Sequence, residues 1–287
     1  MNKLLILLGM LVATTSIAQS YSFNVEVSGK GQPIILIPGL SCSGDVWDKT
    51  VDVLNKRYEC HVMTLPGFAG HTPIETEKYL FTVGDELIDY VKTSNLKKPA
   101  IIGHSLGGFL TLYIGSKEPT LVSKLISVDG LPFLGALQNP AMTEETARGM
   151  AEYMKAQMEN QTAEQYEIRQ PQMLKTMITE DKDIEVAMDW GRKSDSKTVI
   201  QAMYELYTID LRDDLPRITA PTLVLGAWYG YKDYGATKES TTQLYQAQFK
   251  THPNYRLELS ETGKHFIMWD DFDFFITQVN DFLNEKI

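Results

Sequence analysis

Short apolar runs rich in β-branched residues alternate along this chain with segments whose apolar positions recur every three to four residues. That pattern predicts strands and helices in turn. "FNVEVSG" alternates like a half-buried strand, and "PIILIPG" is uninterrupted enough for a central one. A helical period over 45–57 follows, then the strand "CHVMTLPG", a helix over 75–94, the strand "PAIIGHS", a helix over Leu106 to Lys117 that Pro119 stops, and the strand "VSKLISVDG". Such alternation predicts an α/β domain, a doubly wound and mostly parallel sheet with right-handed crossovers.

The pattern changes from Pro132 to Asp210. Strands vanish, and a helical stretch carries Met142, Met150, Met154, Met158, Met173, Met177, Met188 and Met203. Strand patterning returns with "APTLVLGAW", followed by a helix over 237–249, the strand "YRLELSE" and an amphipathic helix over 270–284. The division is therefore a leader over 1–18, a first core segment over 19–131, an inserted helical cap over 132–210 and a second core segment over 211–287. Methionines at helical spacing fit either packing between cap and sheet or an adaptable apolar lid.

The leader reading rests on Lys3, the apolar stretch Leu4 to Ala13, and the small residues Ser16 and Ala18. The stretch is short for a membrane span. We therefore expect an exported protein, periplasmic or secreted, starting near Gln19 and with no membrane attachment after cleavage. A chain of 287 residues with 43% hydrophobic and 22% charged residues can bury a large core, and a formal charge of −10 without basic runs argues against a nucleic-acid partner. Cys42 after one strand and Cys60 in the next fall at opposite sheet edges, too far apart for a bridge, so two free buried thiols are expected.

The candidate chemistry lies where the strand "PAIIGHS" meets the next helix. Gly103-His104-Ser105-Leu106-Gly107 fits G-x-S-x-G in the strand-turn-helix context of a nucleophile elbow, with Gly108 in addition. A side chain at 103 or 107 would collide in so tight a turn, and Ser105 must adopt a strained backbone that lifts Oγ out of the sheet. The helix beginning after Ser105 offers the N–H of Leu106 to a developing oxyanion, and "IPGLSCSG" offers that of Leu40.

A hydroxyl nucleophile needs a base, and His265 in "ETGKHFIMWD" follows the last strand on a loop at the edge where strand C-termini gather. His61 lies inside a strand, His71 in a loop, His104 in the elbow and His252 before the last strand. Two aspartates could orient the base. Asp129 ends the strand after the elbow helix, whereas Asp233 sits in the loop after the penultimate strand, and Asp210 and Asp213 look like caps or surface charges.

These segments, "LIPGLSCSGDVWDKTVDVL", "LPGFAGHT", "IIGHSLGGFLTLYIGSKEP", "APTLVLGA" and "GKHFIMWD", resemble the α/β-hydrolase superfamily in order and spacing. The resemblance implies a hydrolase with Ser105 as nucleophile, His265 as base and an acyl-enzyme intermediate. In most of the family the acid follows the penultimate strand; some members carry it after the strand that follows the elbow helix, so both Asp129 and Asp233 stand. Serine in place of aspartate argues against dehalogenases and epoxide hydrolases. The implied partner is a small-molecule substrate, first of all a small or medium acyl ester, and no cofactor or metal motif is present. Two other readings stay open: a receptor-like homologue with little turnover, and a proline-iminopeptidase-like enzyme using Glu144, Glu145 or Glu152 on the cap.

Overall fold

The computed structural model describes residues 20–285. The leader assigned to 1–18 lies outside them. The first half of the core runs β1 (Asn24–Gly29), β2 (Gln32–Ile37), α1 (Asp48–Leu54), β3 (Tyr58–Thr64), α2 (Tyr79–Thr93), β4 (Ala100–His104), α3 (Leu106–Lys117) and β5 (Lys124–Val128). Four helices follow, α4 (Glu144–Glu159), α5 (Ala163–Met177), α6 (Asp181–Lys193) and α7 (Ser196–Thr208). The core resumes with β6 (Thr222–Ala227), α8 (Lys238–Gln248), β7 (Tyr255–Ser260), the short α9 (Ile267–Asp270) and α10 (Phe272–Asn284). None of these helices is long and apolar enough to cross a membrane.

The strands form one sheet in the order β1-β3-β2-β4-β5-β6-β7. Every pairing is parallel except that of β1 with β3, so the sheet is mostly parallel with one antiparallel edge. Both faces are covered, which is why the central strands read as unbroken apolar runs. Ile35, Ile37, Ile101 and Val224 pack with α2, α3 and α8, whereas Ile34, Leu36, Ile102 and Leu225 turn to α1 and α10. Three of the middle helices join these clusters, Ala202 and Leu206 of α7 on the first face and Leu174, Ile184, Met188 and Trp190 of α5 and α6 on the second, while Ala147 of α4 packs in a small third cluster with Phe133 and Ala136. Cys42 and Cys60 are buried and unbridged, and burial pushes their thiols up, to about 12 and about 11.

Helix α2 begins at Tyr79, four residues later than the periodicity predicts, because its N-terminus is fixed from outside. Lys78 provides no side-chain cap there. The Glu205 carboxylate of α7, only 5% exposed, accepts the N–H groups of Tyr79 at 2.7 Å and Leu80 at 2.8 Å. An anion at a helix N-terminus satisfies orphan donors and complements the dipole, so this contact fastens α7 to the core. Burial pushes the Glu205 carboxyl up, opposed by the Gln201 amide and the two backbone donors. A second fastening is Arg212, which pairs with Asp210 at 2.6 Å, donates to the carbonyls of Pro140 and Met142, and stacks over Phe133.

Replacing Glu205 by alanine leaves two buried N–H groups without a partner, at ~1–3 kcal/mol each. We expect Glu205→Ala to lower the unfolding free energy by about 2–4 kcal/mol. Urea titration should show a fallen midpoint at unchanged slope; a loss below about 1 kcal/mol would remove this contact from the fastening of the cap.

Candidate active site

Three glycines shape the turn at the C-terminal end of β4. A Cβ at Gly103 would lie 2.0 Å from the Gly107 carbonyl oxygen, and one at Gly107 would lie 2.2 Å from that of Ile37. At Gly108 it would lie 2.6 Å from Ser127 Oγ and 2.9 Å from Gly130 Cα. Only bare backbones approach so closely. Ser105 itself has φ 54° and ψ −113°, a left-handed conformation strained for an L side chain, and its N–H donates to the Val128 carbonyl at 2.9 Å. It ends β4 and stands at the N-terminus of α3, whose first free N–H belongs to Leu106.

The loop after β2 passes over this turn. A Cβ at Gly39 would come within 3.3 Å of Ser105 Cβ and 2.8 Å of His104 Nδ1, so the backbone leading into Leu40 crosses next to the Ser105 side chain. Ser41, the next residue but one, is also left-handed, at φ 61°. Among the described residues neither the Leu40 nor the Leu106 N–H has a hydrogen-bond partner. Leu40, Leu106, Ser105 and His104 thus meet at one point of the sheet edge.

His265 reaches the same edge from β7. Its loop is folded by Ser260, whose Oγ accepts the Gly263 N–H at 2.7 Å and donates to Asp271 at 2.5 Å, and by Asp270, which accepts from Lys264 and Thr179. The predicted 270–284 helix is α10, which starts two residues later at Phe272, and the short α9 precedes it. The cap holds the loop from the other side: the Phe266 N–H donates to the Met177 carbonyl at 3.1 Å, and Lys264 Nζ donates to the carbonyls of Lys175 and Ile178.

The carboxylate that meets His265 is that of Asp129. Asp129 Oδ2 accepts the Nδ1–H at 2.5 Å, and both side chains are largely buried, at 10% and 16% exposure. Asp129 is left-handed, with φ 48°, and the next residue, Gly130, packs against Gly108 in the elbow helix. Its Oδ1 accepts the Ala227 N–H of β6 at 2.8 Å and the Tyr245 O–H of α8 at 2.5 Å. Asp233 is not part of this cluster; it lies exposed in a short 3₁₀ segment, Tyr229–Tyr234, after β6. With Nδ1 protonated toward Asp129, His265 Nε2 is an acceptor. Among the described residues neither it nor Ser105 Oγ has a hydrogen-bond partner, so both stay available to a reacting group.

His104 is the member of this cluster whose part the residue pattern did not suggest. Its ring packs 4.6 Å from those of His265 and Phe266, and its Nε2–H donates to the His265 carbonyl at 3.1 Å. Burial, and then the neighbouring His265, hold its pKa well below the usual value. It is therefore a neutral strut between the elbow and the His265 loop. The other histidines lie elsewhere: His61 bonds Tyr90 and Glu59, His71 bonds the Ser22 carbonyl, and His252 is buried beside β7, where burial lowers its pKa to about 4.

Of the cap carboxylates, Glu144 accepts the Asp210 N–H and Glu152 accepts the Tyr204 O–H, while Glu145 is exposed. Asp210 serves Arg212, as already described. Among the described residues no three His, Cys, Asp or Glu side chains cluster as metal ligands would.

Comparison with known proteins agrees with the fold. A family model described as alpha/beta hydrolase fold matches residues 32–285. A pimeloyl-[acyl-carrier protein] methyl ester esterase from Legionella pneumophila is 25% identical over 264 residues, 91% of this chain and 99% of that protein. Among solved structures, a hydrolase from Pseudomonas aeruginosa superposes with a TM-score of 0.75 at 16% identity, covering 92% of this chain and 94% of that one. An esterase from Exiguobacterium antarcticum gives 0.73 at 19% identity, covering 92% and 96%.

The burial of His104 carries a prediction. Because desolvation lowers its pKa, the imidazole should stay neutral while free histidine protonates. Proton NMR from pH 8 down to about 5 should show no titration of the His104 ring in the folded protein, and a midpoint near 6.5 would contradict the strut.

Proposed function

The chain belongs to the α/β-hydrolase family, and on that premise we propose that it is a serine hydrolase cleaving a small or medium, uncharged acyl ester. The observation that carries the reading is the His265–Asp129 hydrogen bond beside a strained Ser105 at the edge where β4, β5 and β7 end. In this mechanism Ser105 Oγ attacks the ester carbonyl carbon while His265 Nε2 takes its proton, and Asp129 steadies the imidazolium through Nδ1–H. The carbonyl oxygen becomes an oxyanion received by the N–H groups of Leu40 and Leu106; one such donor is worth roughly 10²–10³ in kcat. Collapse expels the alcohol, which takes its proton from His265, and leaves an acyl-Ser105 ester. Water, deprotonated by the same imidazole, then releases the acid and restores Ser105.

Ester substrates come first because the Legionella relative is named a methyl ester esterase. Apolar and uncharged acyl groups are favoured by the make-up of the middle helices and the segment after β6. Apart from Val27, the exposed large apolar side chains lie on the middle helical block or the segment after β6, among them Leu137, Met150, Tyr153, Met173, Tyr231 and Tyr234. Residues 132–210 carry fourteen Asp and Glu against eight Lys and Arg, a net −6 that repels anionic substrates. Of the three carboxylates that the iminopeptidase reading would use, Glu144 and Glu152 already accept from Asp210 and Tyr204 within the cap, which favours the ester reading over it. Export belongs to the same proposal and is checked by N-terminal sequencing of the mature protein, expected to start near Gln19.

The test is fluorophosphonate labelling with p-nitrophenyl acetate turnover in the same samples. Wild type should label and turn over many times, and Ser105→Ala should do neither. Asp129→Asn should lose roughly 10³–10⁴-fold in kcat while Asp233→Asn stays at the wild-type value. Folded wild type that neither labels nor turns over would refute the serine-hydrolase reading in favour of a binding role. Equal losses in both aspartate variants would refute Asp129 as the acid.

A further inference from the structure

Three donors converge on the Asp129 carboxylate: the His265 imidazole on Oδ2, and the Ala227 N–H and Tyr245 O–H together on Oδ1. Two of them are unavoidable, one being backbone and the other the base itself. The third is a phenol brought in from α8, a helix on one face of the sheet, and the fold makes room for it. Gly226 in β6 has no side chain where a Cβ would lie 2.8 Å from Tyr245 Cε2 and 3.0 Å from Cζ. On the far side the ring stacks on Phe249 at 6.3 Å with 17° between planes. The ring is thus held in a slot whose end is Asp129, and Tyr245 is only 4% exposed.

We propose that Tyr245 is a positioning residue for the His265–Asp129 pair: its O–H fixes the carboxylate and draws off part of the negative charge that Asp129 presents to the imidazole. The inference rests on the reading of Asp129 as the triad acid. A phenol serves this purpose only while protonated, and burial, followed by the Asp129 charge, holds the Tyr245 pKa well above its usual value. A carboxylate oxygen that accepts two hydrogen bonds is a weaker base than one that accepts a single bond. The phenol therefore has two separable effects. It locks the orientation that His265 needs, and it tempers the basicity of the pair.

The other titratable groups around the pair do not mask these effects. His104, from the end of β4, is held neutral by burial. Tyr231, partly exposed in the segment after β6, has its pKa raised by partial desolvation and then by the Asp129 charge. Lys264 and Asp270, which bracket His265 in its loop, are bound to the cap carbonyls and to the Thr179 and Lys264 N–H groups.

The test is Tyr245→Phe in the full chain, which removes one oxygen and keeps the ring. The midpoint of the His265 imidazole, followed by proton NMR, should rise by about one pH unit, because Oδ1, left with the Ala227 N–H alone, returns charge to the carboxylate. The acidic limb of kcat/KM for p-nitrophenyl acetate should rise with it, and kcat should fall roughly tenfold at unchanged KM as the carboxylate loses its anchor. A folded Tyr245→Phe protein with the wild-type His265 midpoint and kcat overturns the proposal. Gly226→Ala gives the second route, since its Cβ displaces the ring and should produce the same upward shift. Loss of the fold in both variants would also overturn it, because the phenol would then support the fold rather than the pair. The NMR titration needs no turnover, so an enzyme inactive on esters would refute the serine-hydrolase reading while leaving the hold of Tyr245 on the pair to be decided.

Discussion

Backbone approaching backbone at the end of β4 is the constraint on which the rest of the site depends. The Gly103 backbone faces Gly107, Gly107 faces the end of β2, and Gly108 faces Gly130 in the turn after β5. The strain of a left-handed Ser105, of order 1–3 kcal/mol, persists only because these contacts over-determine the turn. The same contacts fix Asp129, which immediately precedes Gly130, with the Ser105 N–H bonded to the neighbouring Val128 carbonyl. Ser105 and Asp129 are thus placed by one packing arrangement, and only His265 is delivered independently.

That independent delivery ties the site to the cap. The His265 loop donates hydrogen bonds to carbonyls at the end of α5, and α7 caps the first turn of α2 through Glu205. Ser194 and Asp195, just ahead of α7, also bond Ala69 and Gly67 in the loop after β3. The middle helices therefore share hydrogen bonds with the core on both sides of the active edge. Movement of α5 against the sheet would strain the His265 loop directly, whereas movement of α4, which packs chiefly on α7, would not.

The sequence was legible where the signal was local. Apolar runs located all seven strands, and the glycines around Ser105 announced a turn that needs bare backbone. It was illegible where a partner is distant. The start of α2 depends on a carboxylate 126 positions later in the chain. The antiparallel sense of β1 depends on its pairing with β3 rather than on its own alternation. The choice between Asp129 and Asp233 could not be read from spacing, because both follow strands of one parallel sheet and both loops open on the same edge. What separates them is burial and three converging donors, and each donor belongs to a different element.

The position of Asp129 has a consequence for the loop after β6. An acid held there would have to be buried and fixed, and the loop with it. With the carboxylate that meets His265 standing at the end of β5, β6 contributes the Ala227 N–H and the Leu225 carbonyl to Asp129, and the following residues form the 3₁₀ segment Tyr229–Tyr234. That segment exposes Tyr231 and Tyr234, and its Gly230 packs against the Thr176 carbonyl of α5. This stretch forms a seam between core and cap, where aromatic side chains meet solvent.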